Sequence, residues 1–132
     1  MKITPVLFVD AIEPSLDFWI GRLGFEKTAE VPEGDRLGFV MLKKGDAEIM
    51  LQTRESIKKD VGAAAETLQS VTSSLYIEVE NFAGILQRVA GSEVVVPQRD
   101  AFYGMREIVV REPQGQIVGL AARIPKPGET RL

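Results

Sequence analysis

The side chains with chemistry to offer gather in two stretches, "SLYIEVE" (74–80) and "FYGMREIVV" (102–110). In the first, Ser74, Tyr76 and Glu78 alternate, so they share one face of a strand. That face carries a phenol and a carboxylate. Burial would raise the pKa of Glu78 and make it a weak candidate for a lone catalytic base. The plainer alternative turns the face to solvent or lets its residues satisfy one another. In the second stretch, Phe102 and Tyr103 offer aromatic surface suited to flat or cationic ligands, with loop packing as the alternative. Arg106 has the planar fork that holds an anion through two hydrogen bonds, and a solvent charge pair with Glu107 is its plainer role. Arg111 and Glu112 read as turn residues.

A third group is apolar. Thr4, Val6 and Phe8 share a strand face, and Phe39, Met41, Met50 and Gln52 share one on a hairpin. Methionines there act as core filler or as an adaptable pocket wall, with Gln52 as its polar handle. Trp19 belongs to the core stripe of a helix.

What is missing narrows the chemistry. The chain has no cysteine and no histidine. Thiolate metal sites, cysteine nucleophiles and Ser-His-Asp triads are excluded, and so is the commonest base near neutral pH. A net charge of −3 argues against nucleic acid or an anionic membrane as partner. No stretch has the ~20 apolar residues of a membrane span or the pattern of a signal peptide. The expectation is a cytoplasmic protein. No Walker or dinucleotide fingerprint is present.

The elements that must position these groups follow from periodicity. Residues 2–9 read as a buried strand. A helix follows, with Pro14 in its first turn, Leu16, Trp19, Ile20 and Leu23 inward, and Gly24 at its stop. Residues 25–31 form a strand, and 36–52 a hairpin turning at Lys-Gly-Asp. Residues 53–72 are a polar, alanine-rich connector, partly helical at 56–59 and 63–68 and mobile. The second half reads as a strand at 73–80, a helix capped by Asn81, a strand closed by Pro97, a loop over 98–104, and a hairpin ending near 123. A Pro/Gly-rich tail covers 124–132.

The order is strand, helix, three strands, connector, then the same again. "LFVDAIEPSLDFW" aligns with "IEVENFAGILQRV" at an offset of 70, and "FVMLKKGDAEIML" with "IVVREPQGQIVGL" at 69. The chain is therefore one domain of two repeats, about 2–52 and 73–123. The expected class is α+β: two βαβββ modules whose curved mixed sheets surround a cleft.

The runs "FVDAIEPSLDFWIGRLGFE" and "AFYGMREIVVREPQGQ" carry a resemblance to the vicinal oxygen chelate superfamily of glyoxalases, extradiol dioxygenases and bleomycin-resistance proteins. The second run is similar to "WGxREFxxRDPDGN" of bleomycin-resistance-like members. In metal-dependent relatives each repeat supplies two metal ligands, which the resemblance carries onto Thr4, Met50, Ser74 and Gly119. None is His or Glu, and neither a metal nor another cofactor is expected. The resemblance also implies an aromatic ligand contact at Phe102 or Tyr103, and a homodimer.

The reading that unites these points is metal-independent binding of a small apolar or aromatic molecule, for sequestration or carriage. Phe8, Phe39, Met50, Gln52, Tyr76, Phe102, Tyr103 and Arg106 are the ligand-binding candidates. Two alternatives stand beside it: a lyase or isomerase with an unconventional carboxylate site, and a structural or regulatory dimer without ligand.

Overall fold

The computed structural model describes residues 4–70, 74–101 and 103–128. The chain divides into two compact units, Met1–Thr72 and Ser73–Leu132. In the first, β1 (Val6–Val9) leads through α1 (Glu13–Leu16) and a π-helical turn (Asp17–Arg22) to β2 (Glu26–Glu33), β3 (Arg36–Lys44) and β4 (Ala47–Thr53). Helices α2 (Arg54–Val61) and α3 (Ala64–Ser70) follow. The second unit runs β5 (Ser74–Glu78), α4 (Phe82–Arg88), β6 (Glu93–Asp100), β7 (Met105–Arg111) and β8 (Ile117–Arg123).

The sheet orders are β1-β4-β3-β2 and β5-β8-β7-β6. In each, the first strand lies parallel to the last and the other pairs are antiparallel. The class is α+β with two four-stranded mixed sheets. The repeat extends to the register. Val6 pairs with Met50, and Tyr76 with Gly119, at the offsets of 70 and 69 that align the two halves of the sequence.

Alternation explains each unit's core. In the first, Leu7, Val9, Val40, Leu42, Ile49 and Leu51 are buried strand residues, joined by Ile12, Phe18, Trp19 and Leu23. Trp19 makes edge-to-face contacts with Phe18 (5.3 Å between centroids) and Phe25 (5.5 Å), a favoured aromatic geometry. In the second, Ile108, Val110, Val118, Leu120 and Ala122 are buried, as are Phe82, Ile85 and Val89 of the α4 region. The Asn81 side chain accepts from the Gly84 N–H at 2.9 Å and starts α4, as its N-cap position predicts.

Several elements differ from the sequence pattern. The first helix widens into the π turn, which moves its inward stripe by one residue. Phe18 and Trp19 are both buried, while Leu16 and Ile20 are half-buried. Among the described residues the first strand begins at Val6. The connector holds two helices, the first capped by Thr53, whose Oγ1 accepts from the Ser56 N–H at 3.1 Å. Pro97 does not close its strand, because β6 continues to Asp100. That strand lies at the sheet edge, where a missing N–H costs no ladder bond, and its pairing is irregular between Val96 and Arg99. Only a tight turn then separates β6 from β7. The Gly104 N–H donates to Ala101 O at 3.0 Å, and Gly104 has a φ of 87° that favours glycine.

Candidate functional site

Register places the chemistry of the second unit on one face. Glu78, Ala121, Glu107 and Arg99 form a row across β5, β8, β7 and β6, and Tyr76, Gly119 and Val109 form the next. Paired residues point their side chains to the same side. The Tyr76 hydroxyl donates to Glu107 Oε2 at 2.8 Å. Its ring must therefore cross β8, two strand spacings or about 9.6 Å of sheet, to meet a residue of β7. Small residues make that crossing possible. Ala121 is fully buried, and a Cβ on Gly119 would lie only 3.2 Å from Tyr76 Cδ1.

Glu107 is the hub of the cluster. Its Oε1 accepts from the Tyr103 hydroxyl at 2.6 Å and from Arg99 Nε at 2.9 Å, and Arg99 Nη2 lies 2.7 Å from the same oxygen. Arg99 Nη2 also donates to the Tyr103 oxygen at 3.3 Å. Glu107 is only 3% exposed, yet its cover is thin. Tyr76 and Tyr103, which roof it, are 55% and 50% exposed.

The electrostatics follow from these bonds. The hydrogen bond from Tyr103, with those from Tyr76 and Arg99, holds Glu107 below the usual carboxylate range despite its burial. Shelter of its hydroxyl end, and then the bond to Glu107, pushes the Tyr76 phenol far above the ordinary tyrosine range. The ring is half exposed, and its hydroxyl is the end that reaches the buried Glu107. The bond to Glu107 also raises Tyr103. At neutral pH the cluster is one carboxylate, one guanidinium and two intact phenols whose protons point inward. It presents two ring surfaces to solvent and is poorly suited to proton transfer.

Other candidates lie elsewhere. Arg106 follows the alternation onto the opposite face of β7 and forks onto Asp100, at 2.7 and 3.1 Å. Its partner is therefore not Glu107. Glu78 and Ser74 share the Tyr76 face and are exposed, so the burial that a lone base requires is missing at Glu78. Glu112, 1% exposed, is tied into the β7–β8 turn: its Oε1 accepts from the N–H groups of Gln114 and Gln116 at 2.7 and 3.2 Å. Phe102 lies outside the described residues. Sequence reasoning passed over Glu107 as a solvent partner for Arg106. It missed Arg99 by ending the strand at Pro97. The signal for Glu107 was the alternation itself, since neighbours on a strand face opposite ways.

The equivalent face of the first unit is apolar. Phe8, Gln52 and Phe39 form one row, and Val6, Met50 and Met41 the next. All but the exposed Val6 are half-buried. Gln52 Nε2 donates to Ser56 Oγ at 3.1 Å, and Thr4 Oγ1 lies 3.4 Å from Glu48 Oε1. By register Phe39 stands where Glu107 stands in the second unit, and Gln52 where Ala121 stands.

The positions assigned to metal ligands hold two hydroxyls (Thr4, Ser74), a thioether (Met50) and no side chain at all (Gly119). Such donors do not fit a divalent cation. Among the described residues no three His, Cys, Asp or Glu side chains group to replace them.

Comparison with known proteins bears on this geometry. The family model of the Glyoxalase/Bleomycin resistance protein/Dioxygenase superfamily matches residues 3–120. No curated protein matches the sequence. Solved structures do. A glyoxalase/bleomycin resistance protein/dioxygenase from Nocardioides is 20% identical, with 98% of this chain and 89% of that one covered and a TM-score of 0.69. TioX from Micromonospora sp. ML1 is 16% identical over 94% and 99%, with a TM-score of 0.72. Lactoylglutathione lyase from Agrobacterium tumefaciens is 16% identical over 92% of each chain, with a TM-score of 0.69. At these identities the likeness is one of fold.

Proposed function

The chain belongs to the Glyoxalase/Bleomycin resistance protein/Dioxygenase superfamily, and within it we propose a metal-independent protein that binds a flat apolar or aromatic small molecule for sequestration or carriage. The ligand stacks on Tyr76 and Tyr103. The observation that carries this reading is the pair of half-exposed rings pinned through their hydroxyls by one carboxylate. A ring fixed in advance loses little freedom when a ligand stacks on it. Stacking on an aromatic side chain is worth roughly 1–3 kcal/mol, by analogy with bases on protein rings.

Acid–base catalysis has less support. It calls for a carboxylate raised toward neutral pH, and the one buried in this cluster moves the other way. Sequestration requires affinity alone, which a side chain set without metal donors can supply. The protein acts as a homodimer in this reading, consistent with exposed Val94 and Val95 on the edge strand β6 and with the need of sheet edges for cover.

The test is a thermal-shift screen against flat aromatic compounds, with metal analysis of gently purified protein. A ligand at 100 times its Kd adds about 2.7 kcal/mol, a rise on the order of 8 °C for a chain this size. Stoichiometric Mn, Fe or Ni, with a ligand response that chelation abolishes, would count against the proposal. So would a flat response across the whole panel.

A further inference from the structure

We propose that Gly119 is the positioning residue of this site: its missing side chain lets the Tyr76 ring lie across β8 and reach Glu107. The inference takes its functional consequence from the binding reading above, but the geometry beneath it is independent of any ligand. Gly119 is the register partner of Tyr76. A Cβ there would meet Tyr76 Cδ1 at 3.2 Å and Cε1 at 3.7 Å. These atoms form one edge of the ring, so any side chain at residue 119 pushes up the ring's inner edge. The Gly119 backbone does not require glycine, for it is not among the glycines of positive φ. Glycine also weakens a strand interior. Its presence in the middle of β8 is explained by the aromatic ring above it, a close approach that glycine allows without moving the ring.

Two consequences follow for binding. Lying across Gly119 and Ala121, the ring turns its outer surface to solvent as a flat stacking face. A Cβ lifts its inner edge by a few tenths of an ångström and loosens its bond to Glu107, and a branched side chain lifts it further. The size of residue 119 therefore sets how firmly the aromatic face is held, without touching the ligand itself.

The chain holds two tyrosines, so Tyr103→Phe leaves Tyr76 as the sole phenol. Its bond to Glu107 Oε2 does not use the oxygen that Tyr103 occupies. Tyrosinate absorbance is then titrated in Tyr103→Phe with residue 119 as Gly, Ala or Val. The expected result is a phenol far above the ordinary range with Gly, lowered with Ala, and lowered further, toward about 10, with Val. In the Tyr103-containing background, Gly119→Ala weakens the best aromatic ligand from the screen a few-fold while unfolding stays cooperative. If Tyr76 titrates alike with all three residues, the inference is overturned. If the Val variant does not fold, the Ala variant decides. Should the titration move while the wild-type protein binds nothing in the screen, the positioning role stands and the binding reading falls.

Discussion

Replacing Glu107 by Gln keeps its shape and removes its charge, which isolates what the carboxylate does. Both tyrosines of the chain donate to it, so the near-ultraviolet absorbance of tyrosinate reports on this cluster and nothing else. An unperturbed phenol, with a pKa near 10, is about 90% ionised at pH 11. In the wild type Tyr76 stays protonated there and Tyr103 is held up in part. The protein then shows at most about half the signal of two ordinary phenols. Glu107→Gln removes the acceptor charge that favours both protonated forms, so the signal at pH 11 rises, chiefly from Tyr103, whose largest support is the bond to Glu107, while the shelter of its hydroxyl end still holds Tyr76 up. The same change weakens the charge-assisted hydrogen bonds from Tyr76, Tyr103 and Arg99. After discounting for the exposure of their donors, the loss is roughly 1–2 kcal/mol, or about 3–8 °C in Tm. A variant whose phenols remain as silent at pH 11 as the wild type would refute the account of the cluster.

The pH dependence of stability has a definite sign. Glu107 has a lowered folded pKa, so its contribution is complete above the unfolded value of about 4.3 and is lost as pH falls through the folded one. Denaturant midpoints measured downward from pH 5 should therefore drop more steeply in the wild type than in Glu107→Gln. Raised phenols act in the opposite direction, and their contribution fades as pH climbs from about 10. Trp19→Ala empties a fully buried site between two aromatic partners and should cost about 3–5 kcal/mol by chemical denaturation. Asn81→Ala deletes the cap of α4, with an expected loss of about 1 kcal/mol in the same assay.

Much of the fold was legible because its signals are local and repeated. Apolar alternation fixed the strands, Asn81 marked a cap, and the 70- and 69-residue offsets returned as equivalent pairings in the two sheets. The exceptions arise where a neighbour overrides the local signal. Pro97 breaks a central strand but is tolerated on an edge, and the π turn moves Phe18 inward.

The site was legible only in part. Tyr76 and Tyr103 stood out as aromatics on a strand face and in a loop. Their common partner did not, since Glu107 lies 31 residues from Tyr76 and beside Arg106, the charge partner that sequence adjacency suggests. Alternation separates Arg106 from Glu107, and only the pairing of β7 with β6 brings Arg99 to the carboxylate. Gly119 read as a lost function from sequence alone. In the fold it is the space that Tyr76 occupies.

The most direct measurement of the central claim is the calorimetric affinity of the strongest aromatic ligand from the screen. It is taken with and without a chelator, for the wild type and for Tyr76→Leu. Metal-independent stacking predicts a Kd that the chelator leaves unchanged and that the substitution weakens about 10- to 100-fold, equivalent to roughly 1.4–2.8 kcal/mol. A Kd that collapses with the chelator, or that ignores the loss of the Tyr76 ring, would contradict it.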